Sequence, residues 1–230
     1  MWFGFVVKRR TVESALQSAA NQVRDYLLRE PLDPVTFRAS LNDIAPAERE
    51  AWCNLLWDLD EIPDDDAELP RGGVPYLPCP VEIVLKAIQR AGVTSEDVFV
   101  DVGSGAGRTT LLANVLTGAA CIGVEVQRAL VELARARAAR LNLERTQFMQ
   151  GDAAELIRFS SSGTVFFLYC PFDWRRVERL LNELELIARV RQIRICCVQM
   201  PLLERRWLVP VPSGSVDFDL YRSSLPTSGS

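Results

Sequence analysis

The sequence predicts an α/β protein: a doubly wound, mostly parallel seven-stranded sheet with an antiparallel last strand, preceded by an N-terminal helical extension. Three observations predict it. From residue 80 onward, short apolar runs alternate with segments of helical period, the pattern of repeated βα units. The apolar runs are continuous, as in strands covered on both faces. The last two runs are separated only by a turn at Pro212-Ser213-Gly214, so they pair as a hairpin.

The elements follow in chain order. Thr11 is placed to cap a helix running to Arg29, with Leu16, Ala19, Ala20, Val23 and Leu27 on one face. Pro31 and Pro34 end it. A second helical region covers Pro46 to Leu59, carrying Trp52, Leu55 and Leu56. An acidic, proline-containing linker from Asp58 to Pro70, followed by Arg71-Gly72-Gly73, is the best boundary in the chain. Residues 1–70 therefore read as a helical cap or as a packing extension, residues 71–222 as the main domain, and residues 223–230 as a flexible tail.

Beyond the linker, helices are predicted over Pro80–Ala91, Gly107–Leu116, Arg128–Leu141, Ala153–Arg158 and Trp174–Arg189. Strands are predicted over Val98–Val102, Ala120–Glu125, Thr146–Met149, Thr164–Tyr169 and Ile193–Gln199. The hairpin joins Arg206–Val211 to Ser215–Arg222.

Composition sets limits on function. The 230 residues are 48% apolar, enough for a packed core. Lys and Arg number 26 against 30 Asp and Glu, a net charge of −4, so no nucleic-acid partner is expected. The absence of histidine excludes Ser/His and Cys/His catalytic pairs and His-containing metal sites, and no metal is expected. None of the six cysteines forms a C-x-x-C pair, which fits reduced thiols in a cytoplasmic protein. The apolar start, Met1 to Val7, is too short to span a bilayer, and its basic residues follow the apolar run. No membrane association is expected. Oligomeric state is not legible.

The chemistry concentrates at four strand ends. The first is Asp101-Val102-Gly103-Ser104-Gly105-Ala106-Gly107-Arg108, a strand that stops, turns on glycine and opens a helix. Such a junction offers unpaired backbone N–H groups to a nucleotide-like ligand. The second is Gly123-Val124-Glu125, with its carboxylate 24 residues after Asp101, about where ribose hydroxyls are bound. The third is Gln150-Gly151-Asp152-Ala153, whose carboxylate suits the exocyclic amine of adenine or the capping of the next helix. The fourth is Tyr169-Cys170-Pro171-Phe172. A dinucleotide site prefers G-x-G-x-x-G. Here Arg108 stands where the third glycine would be, and Asp101 would be ill placed beside a pyrophosphate. A cationic ligand suits it better.

In this order and spacing the four segments resemble the class I, seven-strand, Rossmann-like S-adenosylmethionine (SAM)-dependent methyltransferases, over roughly residues 72–222. Tyr76-Leu77-Pro78-Cys79-Pro80 ahead of Asp101-Val102-Gly103-Ser104-Gly105 is similar to the seven-strand protein-lysine methyltransferases, with Cys79 in place of threonine. The resemblance implies that Asp101, Gly103, Ser104, Gly105 and Gly107 hold the methionine part of SAM and that Glu125 binds its ribose. Val126 and Gln127 would flank the adenine, with Gly151, Asp152 and Ala153 at its amine, and Tyr76 would lie over the cofactor as part of a lid. Tyr169 and Phe172 would line the reacting end. The fourth motif lacks the polar first residue of enzymes that methylate planar amino nitrogens, so adenine and glutamine are not expected as acceptors. The implied activity is methyl transfer to a nucleophile, an amine of a protein lysine or of a small molecule. The alternatives are O-methylation of a small molecule, a catalytically silent SAM-fold binding module, and a nicotinamide-dependent oxidoreductase that the glycine spacing disfavours.

Overall fold

A computed structural model describes residues 2–30, 33–59, 62–66, 69, 74–169, 173–200, 202 and 204–224, with side chains from Glu13 onward. Arg71-Gly72-Gly73, the segment Cys170-Pro171-Phe172 and the tail residues 225–230 lie outside these.

The N-terminal third is helical: α1 (Trp2–Arg29), α2 (Pro34–Asn42), a 310 turn at Pro46–Glu48 and α3 (Arg49–Trp57). Two expectations are corrected. Helix α1 runs straight through Thr11 from Trp2, so Thr11 is not a cap. No proline interrupts residues 2–10, and lengthening a formed helix is far cheaper than nucleating one. Pro34 does not end a helix but opens α2. It occupies the first helical turn, where its missing N–H is not needed, and the Asp33 carboxylate accepts from the N–H groups of Val35 and Thr36 at 3.0 and 3.1 Å.

The remainder alternates: α4 (Val81–Ala91), β1 (Val98–Val102), α5 (Arg108–Thr117), β2 (Ala120–Glu125), α6 (Arg128–Arg140), β3 (Thr146–Gln150), α7 (Ala153–Leu156), β4 (Val165–Tyr169), α8 (Trp174–Ala188) and β5 (Arg194–Val198). A second 310 turn, Ile157–Ser160, prolongs α7. The chain ends in β6 (Leu208–Val211) and β7 (Phe218–Ser223), so β7 reaches one residue into the predicted tail. The sheet order is β3-β2-β1-β4-β5-β7-β6. Strands β1 to β5 are parallel, and β7 runs antiparallel between β5 and β6. The fold class is as the sequence predicts.

Alternate residues of β1 separate the two faces. Phe99 joins a core built from α1 to α6, which includes Phe37, Trp52 and Trp57. Val100 and Val102 join a second core, with Val177, Leu180, Leu181 and Leu184 of α8. The N-terminal helices thus share one continuous core with a face of the sheet. The order reverses between β1 and β4, and a crevice opens at the carboxyl ends of such strands. Register lines up the acidic ends there: Asp101 lies opposite Gly123, and Glu125 opposite Gln150.

Candidate active site

At those strand ends lies a cavity of about 440 Å³, within the usual range of small-molecule sites. One wall is the end of β2 and the residues after it, Val124, Glu125, Val126 and Gln127. Another is Gly151, Asp152 and Ala153 after β3. Gly103 and Tyr169 come from the ends of β1 and β4. Tyr76 and its neighbours Val74, Pro75 and Leu77 form the rim.

Glu125 organises the floor. One carboxylate oxygen accepts from the Gly105 N–H at 2.8 Å. The other accepts from Val126 and Gln127 N–H at 2.8 and 2.9 Å. An ionised carboxylate has about four acceptor positions, so one stays open for a ligand hydroxyl. Asp152 caps α7, accepting from Ala154 N–H at 3.0 Å, and its second oxygen pairs with Arg176 of α8. Both readings of Asp152 therefore meet at one residue: it is a cap, and it lines the cavity.

Beyond Gly103, the glycine turn sits behind this cavity, not on its surface. Gly105 has φ +53°, and a Cβ built on it would lie 2.1 Å from the Tyr76 ring. Only glycine combines that left-handed backbone with so close an aromatic neighbour. Gly107, φ +84°, fits against Ala134 and Phe148, where a Cβ would come within 2.8 Å of both. Its role is to pack α5 against α6 and β3. Ser104 is buried, its hydroxyl turned towards Gly123 and unpartnered among the described residues.

Asp101 is buried under the same turn, and its carboxylate accepts from the Thr110 hydroxyl at 2.7 Å. Burial pushes its pKa up to about 7. The nearby Glu125 charge adds to the rise, and Thr110 opposes it. Burial also raises the Tyr76 phenol, against the charges of Arg108 and Arg137 and the Ala106 backbone amide. The ring of Tyr76 packs over the turn at Gly105.

Of the residues predicted to form a site, the structure brings Tyr76, Gly103, Glu125, Val126, Gln127, Gly151, Asp152, Ala153 and Tyr169 to one cavity. Asp101, Ser104, Gly105 and Gly107 are placed beneath it. Phe172, predicted at the reacting end, lies outside the described residues. Arg176, which none of the sequence motifs singled out, also lines the cavity. Its signal was faint: two residues into a helix whose cap, Asp173, follows the fourth motif. Gln127 is tied to the acidic linker, with its side-chain amide donating to Asp65 at 2.7 Å and accepting from the Asp66 N–H at 2.8 Å.

The described cysteines, Cys53, Cys79, Cys121, Cys196 and Cys197, are buried and form no disulfide with one another. Burial raises the thiols of Cys53 and Cys196 to about 12, which leaves them protonated packing groups. Among the described residues no cluster suits a metal ion, and no helix is long and apolar enough to cross a membrane.

Residues 93–167, which carry β1 to β3 and the start of β4, match the model of the family described as methyltransferase domain. Over that segment the chain is similar to a methyltransferase domain, and the cofactor that goes with such a domain is SAM. No curated protein matches the sequence. Solved structures are similar to the α/β fold described here. An RNA methyltransferase from Salinibacter ruber, in complex with S-adenosyl-L-homocysteine, is 25% identical over 67% of this chain and 97% of its own, with a TM-score of 0.49. MtNAS in complex with MTA and tNA is 16% identical over 64% of this chain and 60% of its own, with a TM-score of 0.50. Precorrin-6y C5,15-methyltransferase from Geobacter metallireducens is 12% identical over 70% and 96%, with a TM-score of 0.48. The MtNAS likeness bears on the fold alone.

The donor set fits SAM. The cavity has two carboxylates at its adenosyl end, Glu125 with an acceptor position to spare. A third carboxylate, Asp101, lies buried beneath the turn, its pKa raised by burial.

Proposed function

We propose that this chain is a SAM-dependent methyltransferase that transfers the methyl group to a nucleophile, an amine nitrogen of a protein lysine or of a small molecule. The observation that carries the reading is the convergence of four strand ends on one cavity, with Glu125 and Asp152 on its walls and Asp101 beneath.

In this reading Glu125 takes the ribose hydroxyls, Asp152 and Ala153 the adenine edge, and Val126 and Gln127 its face. Asp101 and the Gly103–Gly107 backbone take the amino-acid end, with Tyr76 as the cover. The bound cofactor supplies a methyl group already activated by a sulfonium. What remains for the protein is to align the acceptor and keep water out. Tyr169, at the end of β4, serves that aromatic reacting end, a role the sequence resemblance also gives to Phe172. An amine must arrive there unprotonated, which a dry aromatic setting favours. The lysine-methyltransferase likeness rests on the Tyr76–Pro80 segment, of which Tyr76 and Leu77 line the cavity rim.

Calorimetry tests the cofactor directly. SAM and S-adenosylhomocysteine are expected to bind in the micromolar range, and NAD not at all. Gly105→Arg is expected to abolish binding, because the side chain would have to displace the Tyr76 ring. Binding of NAD in place of SAM would refute the assignment. Labelled SAM added to a cell lysate with the enzyme then identifies the acceptor: label is expected in protein or in small molecules. Label in RNA alone would exclude the amine acceptors named here.

A further inference from the structure

We infer that Asp65, in the acidic linker, is a positioning residue for the cofactor cleft: its carboxylate fixes the cover residue Tyr76 and the wall residue Gln127 to each other. This rests on the cofactor reading above. One oxygen of Asp65 accepts from the Tyr76 backbone N–H at 2.8 Å and from the Gln127 side-chain amide at 2.7 Å. The amide oxygen of Gln127 accepts in turn from the Asp66 N–H at 2.8 Å. All the hydrogen-bonding capacity of that Asp65 oxygen is used across the cleft.

The contacts close a circuit. Asp65 holds Gln127, whose backbone N–H bonds Glu125. Glu125 holds the Gly105 N–H, and the Tyr76 ring covers Gly105. The Tyr76 N–H returns to Asp65. Every member other than Asp65 belongs to the cleft or to the turn beneath it. Asp65 therefore sets how far the cover stands from the adenine wall, although it lines no part of the cavity itself. The chemistry is specific to position 65. Asp64 and Asp66 carry the same charge, but Asp66 enters the circuit through its backbone only.

The experiment compares Asp65→Ala with Asp64→Ala, Asp66→Ala and Asp65→Asn in the full-length protein. Two readouts are used: affinity for S-adenosylhomocysteine by calorimetry, and amide exchange of the peptide containing Tyr76. Asp65→Ala is expected to weaken binding about tenfold, the effect of losing a charge-assisted hydrogen-bond pair at a partly exposed site. It is also expected to speed exchange at Tyr76 while the melting temperature stays unchanged. Asp65→Asn keeps the accepting oxygen and is expected to restore most of both. Asp64→Ala and Asp66→Ala are expected to match the wild type. If Asp65→Ala matches Asp64→Ala in affinity and exchange, the inference is overturned and the cofactor reading stands. Equal weakening in all three alanine variants would assign the effect to linker charge and also overturn it. A wild-type protein that fails to bind S-adenosylhomocysteine would overturn the cofactor reading first, and this inference with it.

Discussion

Asp101 is buried with Thr110 as its hydrogen-bonding partner, and its pKa of about 7 lies well above the ordinary 3.8. The sign of the consequence follows from proton uptake. Between those two values the folded, ligand-free protein holds a proton that the unfolded chain releases. This group therefore lowers stability as pH rises from about 4 to about 7, with no further effect above. A cationic ligand beside Asp101 favours the ionised form. Its binding must expel that proton below about pH 7, so SAM affinity is expected to fall toward tenfold per pH unit there and to level off above. Calorimetry from about pH 6 to about pH 8, in two buffers of different ionisation enthalpy, measures both affinity and proton release. Asp101→Asn is expected to lower affinity and flatten the profile. An affinity independent of pH, with no proton released, would remove Asp101 from the ligand's surroundings. The carboxylates at 101, 125 and 152 were legible in the sequence because each ends a strand. Their hydrogen bonds were not: that Glu125 spends three acceptor positions on backbone N–H groups depends on where neighbouring loops pass.

At the scale of elements, two arginines join helices that are far apart in sequence. Arg108 opens α5 and is buried; its guanidinium meets Glu50 and, at 3.0 Å, Asn54 of α3, and reaches the Cys79 carbonyl below the Tyr76 segment. Arg137 of α6 donates to the Ala106 carbonyl at 3.3 Å and to the Asp58 carbonyl at 2.6 Å. The arginine that breaks the dinucleotide glycine pattern is thus a tie between the glycine turn's helix and the N-terminal helices. Arg108→Met keeps the stem but removes the hydrogen bonds to the Cys79 carbonyl and to the Glu50 and Asn54 side chains. It is expected to cost about 2–3 kcal/mol, because several hydrogen bonds from a buried charged group are lost together. For a chain of this size that lowers the melting temperature by about 4–12 °C. An unchanged melting temperature would mean that water replaces the guanidinium at no cost. Helix α2 shows the opposite failure of legibility. Its Asp33-Pro34 start is a strong helix-opening signal, but proline also reads as a helix stop, and the neighbouring Pro31 favoured that second meaning.

For the whole molecule, the question is what the N-terminal helices contribute. Phe37 lies 5.9 Å from Trp52 and 6.5 Å from Trp57, ring centre to ring centre, and all three are fully buried. They belong to the core that covers one face of the sheet. Trp52→Ala is expected to cost about 3–5 kcal/mol, the usual penalty for emptying a large aromatic site. Trp52→Phe is expected to cost far less. The Trp52 indole N–H has no partner among the described residues, so no hydrogen bond is lost. Denaturant melts of the two variants measure the difference; equal costs would point to a polar role for the indole. A chain lacking residues 1–58 would expose this face of the core and is expected to aggregate.

Taken by itself, the sequence determined the mostly parallel sheet with its antiparallel end, the glycine turn and the acidic strand ends. These follow from local rules: side-chain period, the backbone freedom of glycine and the short range of a cap. Tertiary structure alone decided that Tyr76 covers Gly105, that Asp65 reaches Gln127 62 residues away, and that Arg108 reaches Glu50 58 residues away. The physical reason is that such contacts carry no periodic signal. They form only once segments distant in sequence have packed, and only then does a linker carboxylate or a helix-opening arginine acquire its partner.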